Sequence, residues 1–150
     1  MIKLLLSLFV LMVTVALPVE ASDKAKILVN ITGLRNENGV VRVALFKDAA
    51  SYKADKQHEG DGAFQKTIAK IQDKKSNCEF SDVPYGQYAV KFFHDEDNSG
   101  KFVAGTFGIP KVEFGFSNNA SGMFGAPAFD KAKFDVNKPE VTLNLVSQSK

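Results

Sequence analysis

The residue types best suited to chemistry stand together in His94-Asp95-Glu96-Asp97-Asn98-Ser99-Gly100-Lys101. Carboxylates at 95 and 97 and a hydroxyl at 99 occupy alternate positions. Gly100 stands sixth from Asp95, where a calcium loop bends sharply. Hard oxygen ligands at every second residue can converge on one cation while the side chains between them point away. Asp95, Asp97 and Ser99 are therefore the candidate Ca2+ ligands, with Glu96 and Asn98 as lesser ones. The pattern is incomplete, because Val103 and Thr106 stand ninth and twelfth, where a full loop supplies a further oxygen and a bidentate acid. The opposing reading is a solvated acidic turn whose side chains cap their own backbone. His94 and Asp95 have the types of an acid–base pair. Adjacent strand residues face opposite ways, however, so His94 is expected to be a satisfied strand-end histidine. His58 lies in a polar stretch and reads as solvated. Cys78 alternates with Phe80 and reads as a buried core thiol.

Composition narrows the classes. The chain has 150 residues, 13 Phe, no Trp, one Cys and a net charge of +2 from 19 cations and 17 anions. That is the length of one domain. One cysteine excludes an intrachain disulfide framework and a cysteine-rich zinc module. The balanced charge argues against a nucleic-acid partner. The sequence contains no Gly-x-Ser-x-Gly, His-Glu-x-x-His, phosphate-loop or dinucleotide fingerprint.

The N-terminus reads as an address. Lys3 precedes an apolar run from Leu4 to Leu17, and Val19 and Ala21 form a small-x-small cleavage pattern. The run is shorter than the roughly 20 residues a membrane-spanning helix needs. The expectation is a signal peptide over residues 1–21, cleavage after Ala21, and one domain over 22–150. That mature chain would be exported, periplasmic or secreted, with no transmembrane span.

The elements that must position the acidic loop read as β. Ile27, Val29 and Ile31 alternate with Leu28, Asn30 and Thr32. Val41, Val43 and Leu45 form a second run, and Asn38-Gly39 between the two predicts a hairpin. Further strands are expected over residues 63–71, around Cys78 and Phe80, over 88–93 and over 141–146. Residues 48–62 are a loop or one short helix. Many short strands with turns between them predict an all-β, antiparallel sandwich of about seven to eight strands. Pro84 fixes φ, Gly86 permits positive φ, and Tyr88 can fold its ring into the core and bond back across the corner. This Pro-x-Gly-x-Tyr corner resembles that of prealbumin-like and Cna-B-like sandwiches.

After the acidic loop the composition shifts to interleaved Phe and Gly, which reads as a long ordered connection. Nine phenylalanines fall between residues 92 and 134. With no disulfide, packing must hold this connection, so its phenylalanines are core first and binding surface second.

Several motifs carry a wider likeness: Gly39-Val40-Val41-Arg42-Val43-Ala44-Leu45-Phe46, Val83-Pro84-Tyr85-Gly86-Gln87-Tyr88, the acidic loop itself, Gly115-Phe116-Ser117-Asn118-Asn119-Ala120 and Phe124-Gly125-Ala126-Pro127. In these the chain resembles the bacterial exported family DUF2141. The resemblance implies an exported β-sandwich and no particular reaction. The family usually carries an Asp soon after the Gly-Lys, where Phe102-Val103-Ala104 stands here, which removes one oxygen ligand. Function is expected to be non-enzymatic: an envelope protein that binds a ligand or partner, or a structural module. The candidate ligand face is His94, Phe114, Phe116, Ser117, Asn118 and Asn119. The alternative is a calcium-binding protein or metal-assisted periplasmic hydrolase built on His94, Asp95, Asp97 and Glu113.

Overall fold

The computed structural model describes residues 23–149; the signal peptide expected over 1–21 lies outside them. Nine strands build two stacked sheets. The first sheet contains β1 (Lys24–Thr32), β4 (Ile71–Gln72), β5 (Lys75–Pro84) and β9 (Glu140–Val146), in the order β4-β5-β1-β9. The second contains β2 (Val40–Phe46), β3 (Gln65–Ala69), β6 (Gly86–Asp95) and β7 (Phe114–Phe116), in the order β3-β2-β6-β7. β8 (Phe134–Val136) pairs with β6 as well. The expected sandwich is present with one more strand than the upper expectation, because β4, β7 and β8 are two- and three-residue pieces. It is antiparallel apart from β1 and β9, which pair in parallel from Lys26–Glu140 to Thr32–Val146.

The expected hairpin between β1 and β2 is not formed. The two strands lie in different sheets, and β1 pairs with β5 and β9 instead. Gly39 takes φ +66, as an Asn-Gly turn requires. The turn lays the chain against β6 rather than back on β1, and a Cβ at Gly39 would lie 1.9 Å from the carbonyl oxygen of Asp95. The same turn chemistry serves a crossing between sheets as well as a hairpin.

Alternation decides the inner core. Ile27, Val29 and Ile31 of β1, Val141, Leu143 and Leu145 of β9, and Phe80 and Val83 of β5 face Val41, Val43 and Leu45 of β2 and Tyr88, Val90 and Phe92 of β6. Each such aliphatic side chain stabilises the fold by about 1.5–3 kcal/mol on full burial. The Tyr88 hydroxyl donates to the Pro84 carbonyl at 2.8 Å, bonding across the turn at Gly86. Cys78 packs against this core, and burial pushes its thiol up to about 12, which leaves it unreactive at neutral pH.

β6 is buried on both faces. Its other face, with Ala89, Lys91 and Phe93, meets a second apolar layer. That layer is built from α1 (Ala49–Ala54), β7, α2 (Phe129–Ala132) and the connection between β6 and β7. Gly115 lets β7 close onto β6, since a Cβ there would meet the Phe92 ring at 2.4 Å. Phe114 and Phe116 then join Phe93, Phe46 and Tyr52 in the second layer, with Phe102 and Phe129 half-buried against it. Most of the late phenylalanines are thus core, as expected. Phe107 and Phe124 are not: they are 95% and 97% exposed.

Candidate functional site

Alternation at the end of β6 sends His94 and Asp95 to opposite faces, and each meets a complete set of partners. His94 is fully buried. Its Nδ1 lies 3.0 Å from Glu113 Oε2 and its Nε2 lies 2.7 Å from the Asn38 carbonyl oxygen. The Arg35 backbone N–H donates to both Glu113 oxygens, and the Glu96 carboxylate accepts from the side chains of Arg35 and Asn36. On the opposite face Asp95 accepts from Arg42 Nε, from the Ser99 N–H at 3.0 Å and from the Gly100 N–H at 2.8 Å. Burial alone would raise the Asp95 pKa. The bonds from Arg42 and the Gly100 N–H outweigh it and hold the carboxyl below its ordinary value. The Glu96 carboxyl is also held low, burial being outweighed by Asn36 and Arg35. His94, Glu96 and Glu113 bring one ligand atom each to within 4.8 Å of one another, so a metal there is geometrically conceivable. It would have to displace Arg35, Asn36 or Asn38 from bonds already made.

A different polar cluster lies on the second face of β6. The Lys91 ammonium is buried and donates to the carbonyls of Tyr52 and Asp55 at 2.7 and 2.9 Å and to Asp55 Oδ2 at 3.2 Å. It also sits 4.4 Å from the centre of the Tyr52 ring and 5.1 Å from that of Phe46. Asp55 Oδ1 accepts the N–H groups of Glu59, Gly60 and Asp61 at 3.1–3.2 Å, which folds residues 55–61 over the sheet. Burial lowers the Lys91 pKa, and Asp55 pulls it back toward its ordinary value. All three ammonium donors are used, so Lys91 is a structural anchor.

Beside this anchor, polar atoms are left over. The Tyr52 hydroxyl and His58 Nδ1 are buried and have no hydrogen-bond partner among the described residues. His58 has φ +57, an uncommon conformation outside glycine. Its ring packs on Phe102 at 4.9 Å between centres. Burial, then Lys91, lowers the His58 pKa, so the ring is neutral at pH 7. Burial and the nearby Asp55 raise that of Tyr52, which stays protonated.

Cavities converge on these residues. One of about 340 Å³ is walled by Phe102, Phe107, Phe114, Phe116, Met123 and Phe124; among the described residues, His58 and Lys91 supply its only polar side chains. A second, of about 580 Å³, lies against Tyr52, Lys53, Lys56 and residues 126–130 and also contains His58 and Lys91. A third, of about 360 Å³, reaches the same two residues from Arg42, Glu59 and Gly100. The mouth of the first is rimmed by two glycine-flanked tips, with Phe107 and Ile109 on one and Met123 and Phe124 on the other.

The expected site residues therefore separate. Of the expected ligand face, Phe114 and Phe116 line the Phe-walled cavity. His94 lies in the closed network at the end of β6. Ser117 Oγ accepts the Val90 N–H at 2.8 Å and donates to the Ala132 carbonyl, fixing β6 to α2. Asn118 donates to the carbonyls of Lys131 and Lys133, and Asn119 clamps β9 through the Asn144 carbonyl and the Val146 N–H. Of the expected calcium ligands, Asp95 is engaged with Arg42. The Ser99 N–H binds both Asp95 and Asp97, closing the loop on itself. Sequence reasoning missed Tyr52 and His58. A lone Tyr in an otherwise polar stretch, with a His shortly after it, was the available signal.

Residues 29–144 match the family model described as an uncharacterized protein conserved in bacteria, DUF2141. No curated protein and no solved structure matches the chain. Among the described residues no helix is long and apolar enough to cross a membrane.

Proposed function

The chain belongs to the DUF2141 family, and on that premise we propose that it is an exported, non-enzymatic protein that binds an apolar ligand between the two Phe-bearing loop tips. Export rests on the basic start, apolar run and small-x-small pattern of residues 1–21. Binding rests on one observation, the Phe-walled cavity of about 340 Å³ whose rim exposes Phe107, Met123 and Phe124 almost completely. Its size falls within the range of roughly 300–1,000 Å³ of small-molecule sites, and apolar walls with few polar groups are their usual lining. Exposing three large apolar side chains on adjacent loops costs solubility and contributes nothing to the core. A ligand, once bound, would cover them. His94 and Glu113 are turned inward onto backbone and each other, which fits the non-enzymatic reading.

The test is binding of N-phenyl-1-naphthylamine, an apolar dye that brightens out of water, to the purified chain. The expected result is saturable brightening that a Phe107→Ser/Phe124→Ser double variant loses by about tenfold in affinity, on the burial of two aromatic side chains. Both residues are exposed, so the variant should keep its thermal midpoint. Equal dye affinity in the double variant would overturn the reading. Chain recovered only from the cytoplasmic fraction would overturn the export part, and exported protein whose N-terminus begins before residue 18 would overturn cleavage after Ala21.

A further inference from the structure

We infer that the Phe-walled cavity and its neighbour form one site for an anionic amphiphile, with the aliphatic chain among the phenylalanines and the charged head at Tyr52 and His58. This rests on the cavity being a ligand site and goes on to the ligand's chemistry.

The two cavities share His58, Lys91 and Ala126, so they meet at the polar side chains of the first cavity. A ligand filling the first cavity has apolar surroundings along its length and polar ones at one end. That gradient selects a chain with a head, because a head elsewhere would be desolvated without a partner.

The second cavity has the character of a site for the head. It contains both Tyr52 and His58, whose hydroxyl and Nδ1 are buried without partners among the described residues. Tyr52 is 3% exposed, and buried polar atoms in folded proteins nearly always have partners. A protonated Tyr52 hydroxyl is a donor. Neutral His58 is a donor at Nδ1 when its hydrogen resides there. Two donor-bearing residues in the wall of one cavity call for an acceptor with two oxygens, such as a carboxylate.

The charges agree. Asp55 is spent on Lys91 and three backbone N–H groups, and Asp130 pairs with Lys133 at 2.8 Å. Lys53 and Lys56 line the same cavity, are exposed, and form no salt bridge among the described residues. The surplus charge at its mouth is positive. An anion is drawn there and a cation repelled.

The test is displacement of bound N-phenyl-1-naphthylamine from the purified chain by dodecanoate, dodecanol and acetate. Dodecanoate is expected to displace the dye at about tenfold lower concentration than dodecanol, on the strength of charge-assisted hydrogen bonds, and acetate not at all. Tyr52→Phe should weaken dodecanoate about fivefold or more while leaving dodecanol unchanged. His58→Gln should weaken dodecanoate in the same selective way. Tyr52→Phe removes only an unpartnered hydroxyl, so its midpoint should stay the same or rise. Equal potency of dodecanoate and dodecanol, or an unaltered preference in both variants, would overturn the assignment of the head while leaving the apolar cavity reading intact. Failure of the dye itself to bind would overturn both.

Discussion

Two polar clusters are built on the same strand three residues apart, and they differ in whether their polar atoms are used up. At His94 and Asp95 the ring nitrogens and carboxylate oxygens meet Glu113, Asn38, Arg42 and the N–H groups of Ser99 and Gly100. At Lys91 the ammonium is equally saturated, yet the Tyr52 hydroxyl and His58 Nδ1 beside it are not. Both clusters are buried and rich in titratable groups. Residue type therefore does not separate a structural cluster from a binding one. What separates them is whether hydrogen-bonding capacity remains, together with a cavity lined by the residues that carry it.

The comparison breaks most visibly through stability. Glu113→Ala would leave His94 and the Arg35 N–H without their carboxylate in a buried setting. Removing one partner of such a pair destabilises by about 3–5 kcal/mol. Tyr52→Phe at the open cluster should cost nothing, because the hydroxyl has no bond to lose. Urea denaturation of the two variants side by side would check both. A Glu113→Ala cost under about 1 kcal/mol, or a Tyr52→Phe cost above that, would erase the distinction.

The inner faces of the sandwich were legible because strand alternation is written locally: every second residue of 27–31, 41–45 and 141–145 is apolar and all of them are buried. His94 as a satisfied histidine was legible for the same reason, since alternation forbids its pairing with Asp95. Partners set by distant segments were not legible. The parallel pairing of β1 with β9 joins residues more than a hundred positions apart. Asn38-Gly39 cannot say which strand it will lie against. His58 looked solvated because its own neighbours are polar; it is Phe102 and Phe116, far along the chain, that cover it. Tyr52 and His58 became a site only through that covering.

A smaller effect sharpens the comparison through pH. In the closed cluster the Asp95 and Glu96 pKa values are lowered from 3.8 and 4.5. The unfolded chain then takes up their protons first, so their stabilisation is intact above about pH 4.5 and is lost as pH falls through the folded values. At the open cluster His58 is lowered from 6.5, by burial and then by Lys91. Here too the unfolded state protonates first, so stability declines gently as pH falls from about 6.5 toward the lower folded value. Denaturation free energies from pH 8 to pH 3 should show two windows. His58→Gln should flatten the upper one alone, and Arg42→Met should alter only the lower. A single window affected by both variants would mean the clusters titrate as one.

The smallest expected effect concerns calcium, and it tests whether the closed cluster is closed. A cation entering at Asp95, Asp97 and Ser99 would have to take the Asp95 oxygens from Arg42 and from the Ser99 and Gly100 N–H groups. The Asp95 side chain is fully buried, and a guanidinium displaced from it would have to find new partners as well. Phe102, Val103 and Ala104, which follow the Gly-Lys, are apolar, so few oxygens remain to repay that exchange. Millimolar Ca2+ should therefore move the thermal midpoint by less than about 1 °C, well below the several degrees that a site held at a hundred times its dissociation constant would give in a domain of this size. A larger rise that disappears in an Asp95→Ala/Asp97→Ala double variant would show that Arg42 yields to a metal. The loop at residues 95–100 would then join Tyr52 and His58 among the parts of the molecule with binding capacity left.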